Sequence, residues 1–301
     1  MLTVALGLVG AAVYGAADFL GGFAAKRINT ALVTAVAAAS GLVMLAGIAW
    51  PIFGGTWTAR DTWLGIGTGV AGGIGLALLY ACLSIGPMSI LSPLSALVSA
   101  VCPAVWGVVV NGERFKTLGW IALTLALIAV VLVGFVPERG AVRPRLLGIV
   151  LAIGSGLGIG GFLILIDQTS DASGVTPLIA NRLTNTTLTL LAFGAFVLLR
   201  LLRKAPDASP HSVALGAVGA PGQRGRGLMF AALGGFTDVV ANVAVLGAVR
   251  LGDLTVASVL TALYPASTVV LAAIVLKERI APVQWVGLVL ALTAAGMLAA
   301  S

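Results

Sequence analysis

The sequence predicts an all-α integral membrane protein in which ten transmembrane helices form two inverted five-helix repeats. Three observations predict it. Hydrophobic residues make up 59% of the chain and charged residues 9%, where a soluble globule carries about 25% charged residues. Apolar runs of the roughly 20 residues needed to span a bilayer recur along the whole length. A long stretch also occurs twice: LSIGPMSILSPLSALVSAVCPAVWGVVVNGERFKTLGWIAL, at 83–123, returns at 249–288 as VRLGDLTVASVLTALYPASTVVLAAIVLKERIAPVQWVGL. Setting Glu113 on Glu278 brings Arg114 onto Arg279 and Trp120 onto Trp285 without a gap, which is an internal duplication.

The first apolar run, 2–25, ends at Lys26 and Arg27, and the second, 31–53, closes in Gly54, Gly55, Trp57 and Arg60. The third, 63–83, contains GTGVAG, and the sixth contains GLGIGG. Both strings match the dinucleotide fingerprint GxGxxG, yet neither has the preceding strand and the following acid that a phosphate loop needs. Close helix packing through small residues four apart, such as Gly69 with Gly73 and Gly156 with Gly160, is the expected role. A proline-broken fourth helix, 89–111, and a fifth, 117–136, complete the first repeat, 1–137. A basic hinge, 138–145, leads to the second repeat, 146–301, with helices expected at 146–166, 175–201, 227–249, 254–276 and 282–300. Between the second and third of these a polar linker with proline and glycine, 203–226, is expected to be mobile. Five helices per repeat is an odd number, so the halves enter the membrane from opposite sides, as in secondary transporters.

The net charge of +7 does not point to nucleic acid, because the basic residues lie at helix ends without interleaved aromatics and read as topology signals. Cys82 and Cys102 sit in apolar runs with no CxxC spacing or histidine partner, as buried thiols do. Met1-Leu2-Thr3 lacks the basic start of a signal peptide. No HExxH, GxSxG or acidic metal cluster occurs, and the one histidine, His211, falls in the linker. No enzyme activity, metal or cofactor is therefore expected.

The ends of the two halves, LSIGPMSILSPLSALVSAVCPAVWGVVVNGER and LGAVRLGDLTVASVLTALYPASTVVLAAIVLKER, resemble the EamA domains of the drug/metabolite transporter superfamily. The shared pattern is a small-residue turn, a helix with a proline past its middle, a Glu-Arg pair and a closing helix. The resemblance covers the whole chain except 203–226. It implies a ten-helix basket in which helices 1, 3, 4, 6, 8 and 9 surround a central cavity, helices 5 and 10 support the outside, and both termini are cytoplasmic. Two departures stand out: Lys277 replaces the Gly112 of the first copy, and Pro103 and Pro265 are three residues out of step. With cytoplasmic termini, 4 Lys or Arg residues face inside and 12 outside, whereas the positive-inside rule places both termini outside.

An ionisable residue at the centre of a membrane helix costs about 2.5 to 3.5 kcal/mol on insertion scales, so each one is a candidate for function. Asp18 lies inside the first run with Tyr14 one turn earlier, and Asp238 and Asn242 share a face of the eighth helix. Asn181, Arg182 and Asn185 lie in the first half of the seventh. Asp18 and Asp238 are expected to line the cavity and bind a cationic or zwitterionic substrate or a proton. Arg182 suits one of these acids or a substrate carboxylate, through its planar fork. A structural Asp-Arg pair, or an Arg182 that snorkels to the interface, is the alternative. Tyr264 and Ser99 are further candidate contacts, and Pro103 and Pro265 are candidate gates, because proline frees backbone carbonyls. Glu113-Arg114 and Lys277-Glu278-Arg279 read as caps and anchors, Trp120 and Trp285 as interfacial anchors, and Asp167 and Asp171 as solvated loop acids.

These readings predict a multi-pass protein of the plasma (inner) membrane, monomer or homodimer, whose partners are the bilayer and a small-molecule substrate. The expected function is export of a small organic metabolite, such as an amino acid, amine or drug, by alternating access, with protons as the candidate coupling ion. Sugar or nucleotide-precursor exchange, uptake by a carrier of the same fold, and a channel stand as alternatives.

Overall fold

A computed structural model of the protein describes residues 1–28, 30–85, 88–135, 145–202, 223–277 and 279–300, and every long element among them is an α-helix. In chain order these are α1 (Leu2–Ala25), α2 (Thr30–Met44), α3 (Ala59–Ile85), α4 (Met88–Val109) and α5 (Thr117–Gly134). The second half supplies α6 (Leu146–Asp167), α7 (Thr176–Leu202), α8 (Arg224–Leu251), α9 (in two pieces, Leu254–Thr261 and Tyr264–Val275) and α10 (Pro282–Ala300). α2 runs on through a π-helical turn, Leu45–Ala49, into the short piece Trp50–Phe53. Among the described residues, nine helices are long and apolar enough to cross a membrane, and the 27-residue α7 is the tenth long helix. Residues 138–144 of the hinge, 203–222 of the linker with His211, and Glu278 lie outside the described residues.

A helix satisfies its own backbone polar groups, which is why it can span lipid. The outer surface is correspondingly apolar, with Val43, Ile274 and Leu292 among its most exposed side chains. Trp57, Trp63, Trp120 and Trp285 are exposed near helix ends, where indoles bridge hydrocarbon and headgroup. Inside, small residues let helices approach. Ala122, Ala126 and Ala129 of α5 share one buried cluster with Ala291, Ala294 and Ala295 of α10. α3 and α6 cross at Gly75 and Gly158, where a Cβ on Gly158 would stand 2.7 Å from the Gly75 Cα. The glycine strings thus mark helix crossings, as their spacing predicts. Gly72, Gly73 and Gly161 are exceptions: nothing stands within 4 Å of a Cβ on Gly72, and one on Gly73 or Gly161 meets only ordinary contact at 3.8 Å.

The principal interhelical pairs form a pattern. α1 packs along α8 as α6 packs along α3; α1 meets both pieces of α9 as α6 meets α4; α2 packs on α8 as α7 packs on α3. α4 also meets α9, α5 meets α10, and α2 meets α7. Exchanging α1–α5 with α6–α10 turns each of these pairs into another of them or into itself; α4 also packs on α5, without a matching α9–α10 pair of similar extent.

The prolines behave differently from the predicted breaks. α4 is continuous, with Pro93 and Pro103 inside it. A Cβ on Gly134 of α5 would stand 3.3 Å from Pro93, and one on Gly160 of α6 would stand 3.0 Å from Pro103, so glycines on neighbouring helices make room for both rings. α9, in contrast, is interrupted between Thr261 and Tyr264, and Pro265 sits in the first turn of the second piece, where a missing N–H is no loss. The duplicated turns match closely: Gly112 has φ 74° and Lys277 φ 57°, the one positive φ of a non-glycine residue among those described.

Candidate functional site

α1, α2, α7 and α8 converge on one polar group. Arg182, in the second turn of α7, forms an ion pair through Nη2 with Oδ2 of Asp238 on α8. Asn242, one turn along α8, donates from Nδ2 to the Asp238 carbonyl at 2.7 Å and to its Oδ2 at 3.1 Å, the contact that the i, i+4 spacing predicts. The arginine passes over α2, where a Cβ on Gly41 would stand 3.3 Å from its Cζ. Ser40 beside it ties α2 to α8 by donating to the Ala232 carbonyl at 3.0 Å.

Asp18 completes the group from α1. Tyr14 lies within electrostatic reach of Asp18, Asp238 and Arg182, and Asp18 within reach of Asp238. Asp18 has no hydrogen bond or ion pair among the described residues, and its side chain is exposed although α2, α8 and α9 all pack on its helix. Gly21 and Gly22, one turn on, also have open space where a side chain would go. Asp18 is therefore an open position on a helix that packs against three others. Tyr14 packs on an apolar cluster shared with Trp106 of α4 and Phe162 of α6, and the Trp106 Nε1 is buried without a hydrogen-bond partner. Nothing in the sequence set these two aromatics apart from others in apolar runs.

A second polar group closes one face of the molecule. Asp61, at the start of α3, accepts from Ser170 N at 2.9 Å, Ser170 Oγ at 2.6 Å and Thr58 Oγ1 at 2.7 Å. Arg250, at the end of α8, donates from Nη2 to Ser170 O at 3.1 Å and Ser173 Oγ at 3.0 Å, and its Nε stands 3.8 Å from Asp171 Oδ1. Thr56 N donates to Ala172 O at 2.8 Å, which joins the α2–α3 and α6–α7 loops. Glu113, in the α4–α5 loop, accepts the backbone N–H groups of Leu254 and Thr255 at 2.7 and 3.1 Å and so caps α9 from outside. Asp167 accepts from Asn111 Nδ2 at 3.0 Å. Asp167 is thus a half-buried, partnered acid, because its loop folds against its neighbours, whereas Asp171 is 87% exposed and stays a solvated loop acid beside Arg250.

The model of the EamA-like transporter family matches residues 146–300. The chain belongs to this family. As an EamA-like protein it is a multi-pass membrane protein and a transporter. One of 29 matching chains of solved structures, described only as a crystal structure of protein, superposes with a TM-score of 0.68 at 16% identity, over 98% of this chain and 95% of that one. That likeness concerns the fold. None of the curated proteins matches.

Of the remaining sequence candidates in this EamA-like chain, Asn181, Asn185 and Ser99 make other contacts, and Tyr264 lies against α1. Asn181 is buried and donates to Thr68 Oγ1 of α3 at 3.0 Å, and Asn185 accepts from Thr189 at 3.4 Å. Ser99 is buried and donates to the Ala96 carbonyl of its own helix at 2.8 Å. Tyr264 opens the second piece of α9 against α1, and its carbonyl would lie 2.6 Å from a Cβ on Gly15. Ser267 follows it there and donates to the Ala12 carbonyl at 2.7 Å.

Proposed function

We propose that this EamA-like protein is a secondary transporter of the plasma membrane, not an enzyme, that exports a small organic metabolite by alternating access and exchanges a proton at Asp18. The Asp18 carboxylate carries this reading: it has no partner among the described residues and is exposed on a membrane helix against which three others pack. A carboxylate so placed is unfavourable unless a proton or a cation visits it. The titratable groups in electrostatic range of it are Tyr14 on its own helix and Asp238 on α8. Asp238 and Arg182 are taken up with each other, which leaves Asp18 as the exchangeable member.

The exchangeable pattern of helix pairs supports two repeats, 1–137 and 146–301, and the family match begins at residue 146. Rocking one such half against the other changes which side of the membrane reaches a site between them. The face tied by Asp61, Ser170 and Arg250 is the closed side in this conformation. Pro265, at the interruption in α9 beside α1, is the better placed of the two candidate gates, because Pro103 lies in an unbroken helix.

Proteoliposomes with an imposed pH gradient test the reading. Reconstituted protein is expected to dissipate the gradient when a transported compound is added from a panel of amino acids, amines, sugars and drugs. Asp18→Asn abolishes that response and Asp18→Glu retains part of it. Flux that does not saturate sinks the carrier, and transport unchanged in both Asp18→Asn and Asp238→Asn sinks the proton coupling.

A further inference from the structure

Charge is divided unevenly between the two ends of the bundle, and contacts fix which helix termini share an end. The end of α1 meets the start of α8, where a Cβ on Gly227 would stand 2.9 Å from Ile28 and 3.1 Å from Arg27. The end of α5 meets the start of α10, with Gln284 Nε2 donating to the Val133 carbonyl at 3.2 Å. Cys82, Leu91 and Ala152 draw the end of α3 together with the starts of α4 and α6. This end carries Lys26, Arg27, Arg145, Arg224, Arg226, Lys277 and Arg279, and no acid among the described residues. The segments outside the described residues do not reverse the balance, since Arg139, Arg143, Arg203 and Lys204 stand there against Glu138, Asp207 and Glu278. The opposite, fastened end holds Asp61, Glu113, Asp167, Asp171 and Asp253 beside Arg60, Arg114, Lys116 and Arg250, and is close to neutral.

The cations of the basic end are free to meet a partner. All but the half-buried Arg27 are exposed, and none pairs with an acid among the described residues. Arg27 is held in place: its Cζ lies 4.8 and 5.2 Å from the ring centroids of Phe23 and Phe230, and its Nη1 donates to the Phe23 carbonyl at 2.7 Å. A guanidinium fixed in this way at the end of two apolar helices keeps its other N–H groups for an acceptor from outside, and its planar fork suits a phosphate. At the fastened end, in contrast, Asp61, Arg250 and Glu113 are engaged by neighbouring loops and helix starts. Cations gathered without acids repel one another until an anion offsets them. For cations at the ends of membrane helices that anion is the headgroup layer, which Lys and Arg reach while their stems stay in hydrocarbon, and whose anionic lipids attract each such charge.

We propose that this basic end docks on anionic phospholipid headgroups, with Lys26, Arg27, Arg224 and Arg226 at the α1–α8 junction meeting the phosphates, and that it therefore faces the cytoplasmic leaflet of the plasma membrane. The fastened face and the start of α1 then lie outside, opposite to the arrangement that the EamA resemblance implies. The inference does not depend on which compound is carried.

Melting of the purified full-length protein in micelles doped with phosphatidylglycerol or phosphatidylcholine tests the docking. Phosphatidylglycerol is expected to raise the melting temperature, less so at high salt, and phosphatidylcholine to leave it unchanged. Arg224→Gln and Arg226→Gln each weaken the apparent affinity for phosphatidylglycerol by about fivefold. Arg60→Gln and Lys116→Gln, which remove the same charge at the other end, leave it intact. An equal response to both lipids, or equal losses from variants at both ends, overturns the inference. A shift produced by inorganic phosphate or glycerol 3-phosphate alone also overturns it, in favour of a site for a free anion. Orientation is read in intact cells with a membrane-impermeant maleimide, in a Cys102→Ala background because Cys82 is buried. Asp171→Cys, at an 87% exposed position of the fastened face, is expected to react, and Arg279→Cys only after the membrane is permeabilised. The reverse pattern overturns the leaflet assigned to the basic end.

Discussion

Lys277 holds a left-handed backbone, φ 57°, that an L-residue with a Cβ disfavours by roughly 1–2 kcal/mol. Lys277→Gly is expected to raise stability by about 1 kcal/mol and Lys277→Val to lower it, read as melting temperatures in detergent. Asp253 is a second position set by its neighbours. It stands at the N-cap of α9 without making the side-chain cap bond, because Glu113 has taken the free N–H groups there. Burial raises its carboxyl above the ordinary range and the Glu113 carboxylate adds to the rise. The folded state therefore holds this proton more tightly than the unfolded chain. The stability so gained is complete below about pH 4 and is lost as pH rises through the raised value. Asp253→Asn should flatten that decline in a series of melting curves. At this scale the sequence exposes what differs from its surroundings. Asp18, Asp238 and Arg182 stand out in apolar runs, and the alignment of Lys277 on Gly112 points to the shared turn. Trp106 and Phe162 do not stand out, since any aromatic residue in a membrane helix reads as core or belt. Asp61 is hidden for another reason: a carboxylate near a helix start is ordinary until the loop that it holds is seen.

Helix ends and crossings follow from what the neighbouring helix offers. Leu254 and Thr255 are buried, so Glu113→Ala leaves their N–H groups unpaired and is expected to destabilise by about 1–3 kcal/mol, measured by thermal unfolding. Glu113→Gln, which keeps an acceptor, should lose less. The Glu-Arg loop was legible as a junction, but not the fact that its glutamate caps a helix of the opposite half. Pro103 shows the same limit. Read alone it predicts a break in α4, yet the helix continues because Gly160 of α6 leaves room beside the ring. Pro265 has no such neighbour in the described contacts, and α9 is interrupted just before it. Counting the ten helices needed only the lengths of apolar runs, whereas their continuity depended on partners distant in sequence.

Across the whole molecule, one face is fastened by a small number of polar side chains. Arg250 is half of that fastening, with donations to Ser170 and Ser173 and an acid, Asp171, beside it. Arg250→Ala is expected to speed amide exchange of residues 168–175 by about tenfold or more without lowering helix content, as local opening does. Unchanged exchange would show that the loops stay closed without it. The duplication and the inverted arrangement were visible because repeats survive in spacing. The pairing of α1 with α8 and of α3 with α6 was not, since glycine strings announce close crossings without naming the helix that is crossed.

That pairing bears on how the chain is made. About 200 residues separate the end of α1 from the start of α8, so at ribosomal speeds of about 5–20 residues per second the first helix waits roughly 10–40 s for its main partner. Throughout that interval Asp18 sits in a nascent helix with no α8 beside it. The early helices must be kept at the membrane by the insertion machinery until the second half emerges, and a ribosome that stalls before α8 releases a product with its first helix unclasped and exposed to quality control.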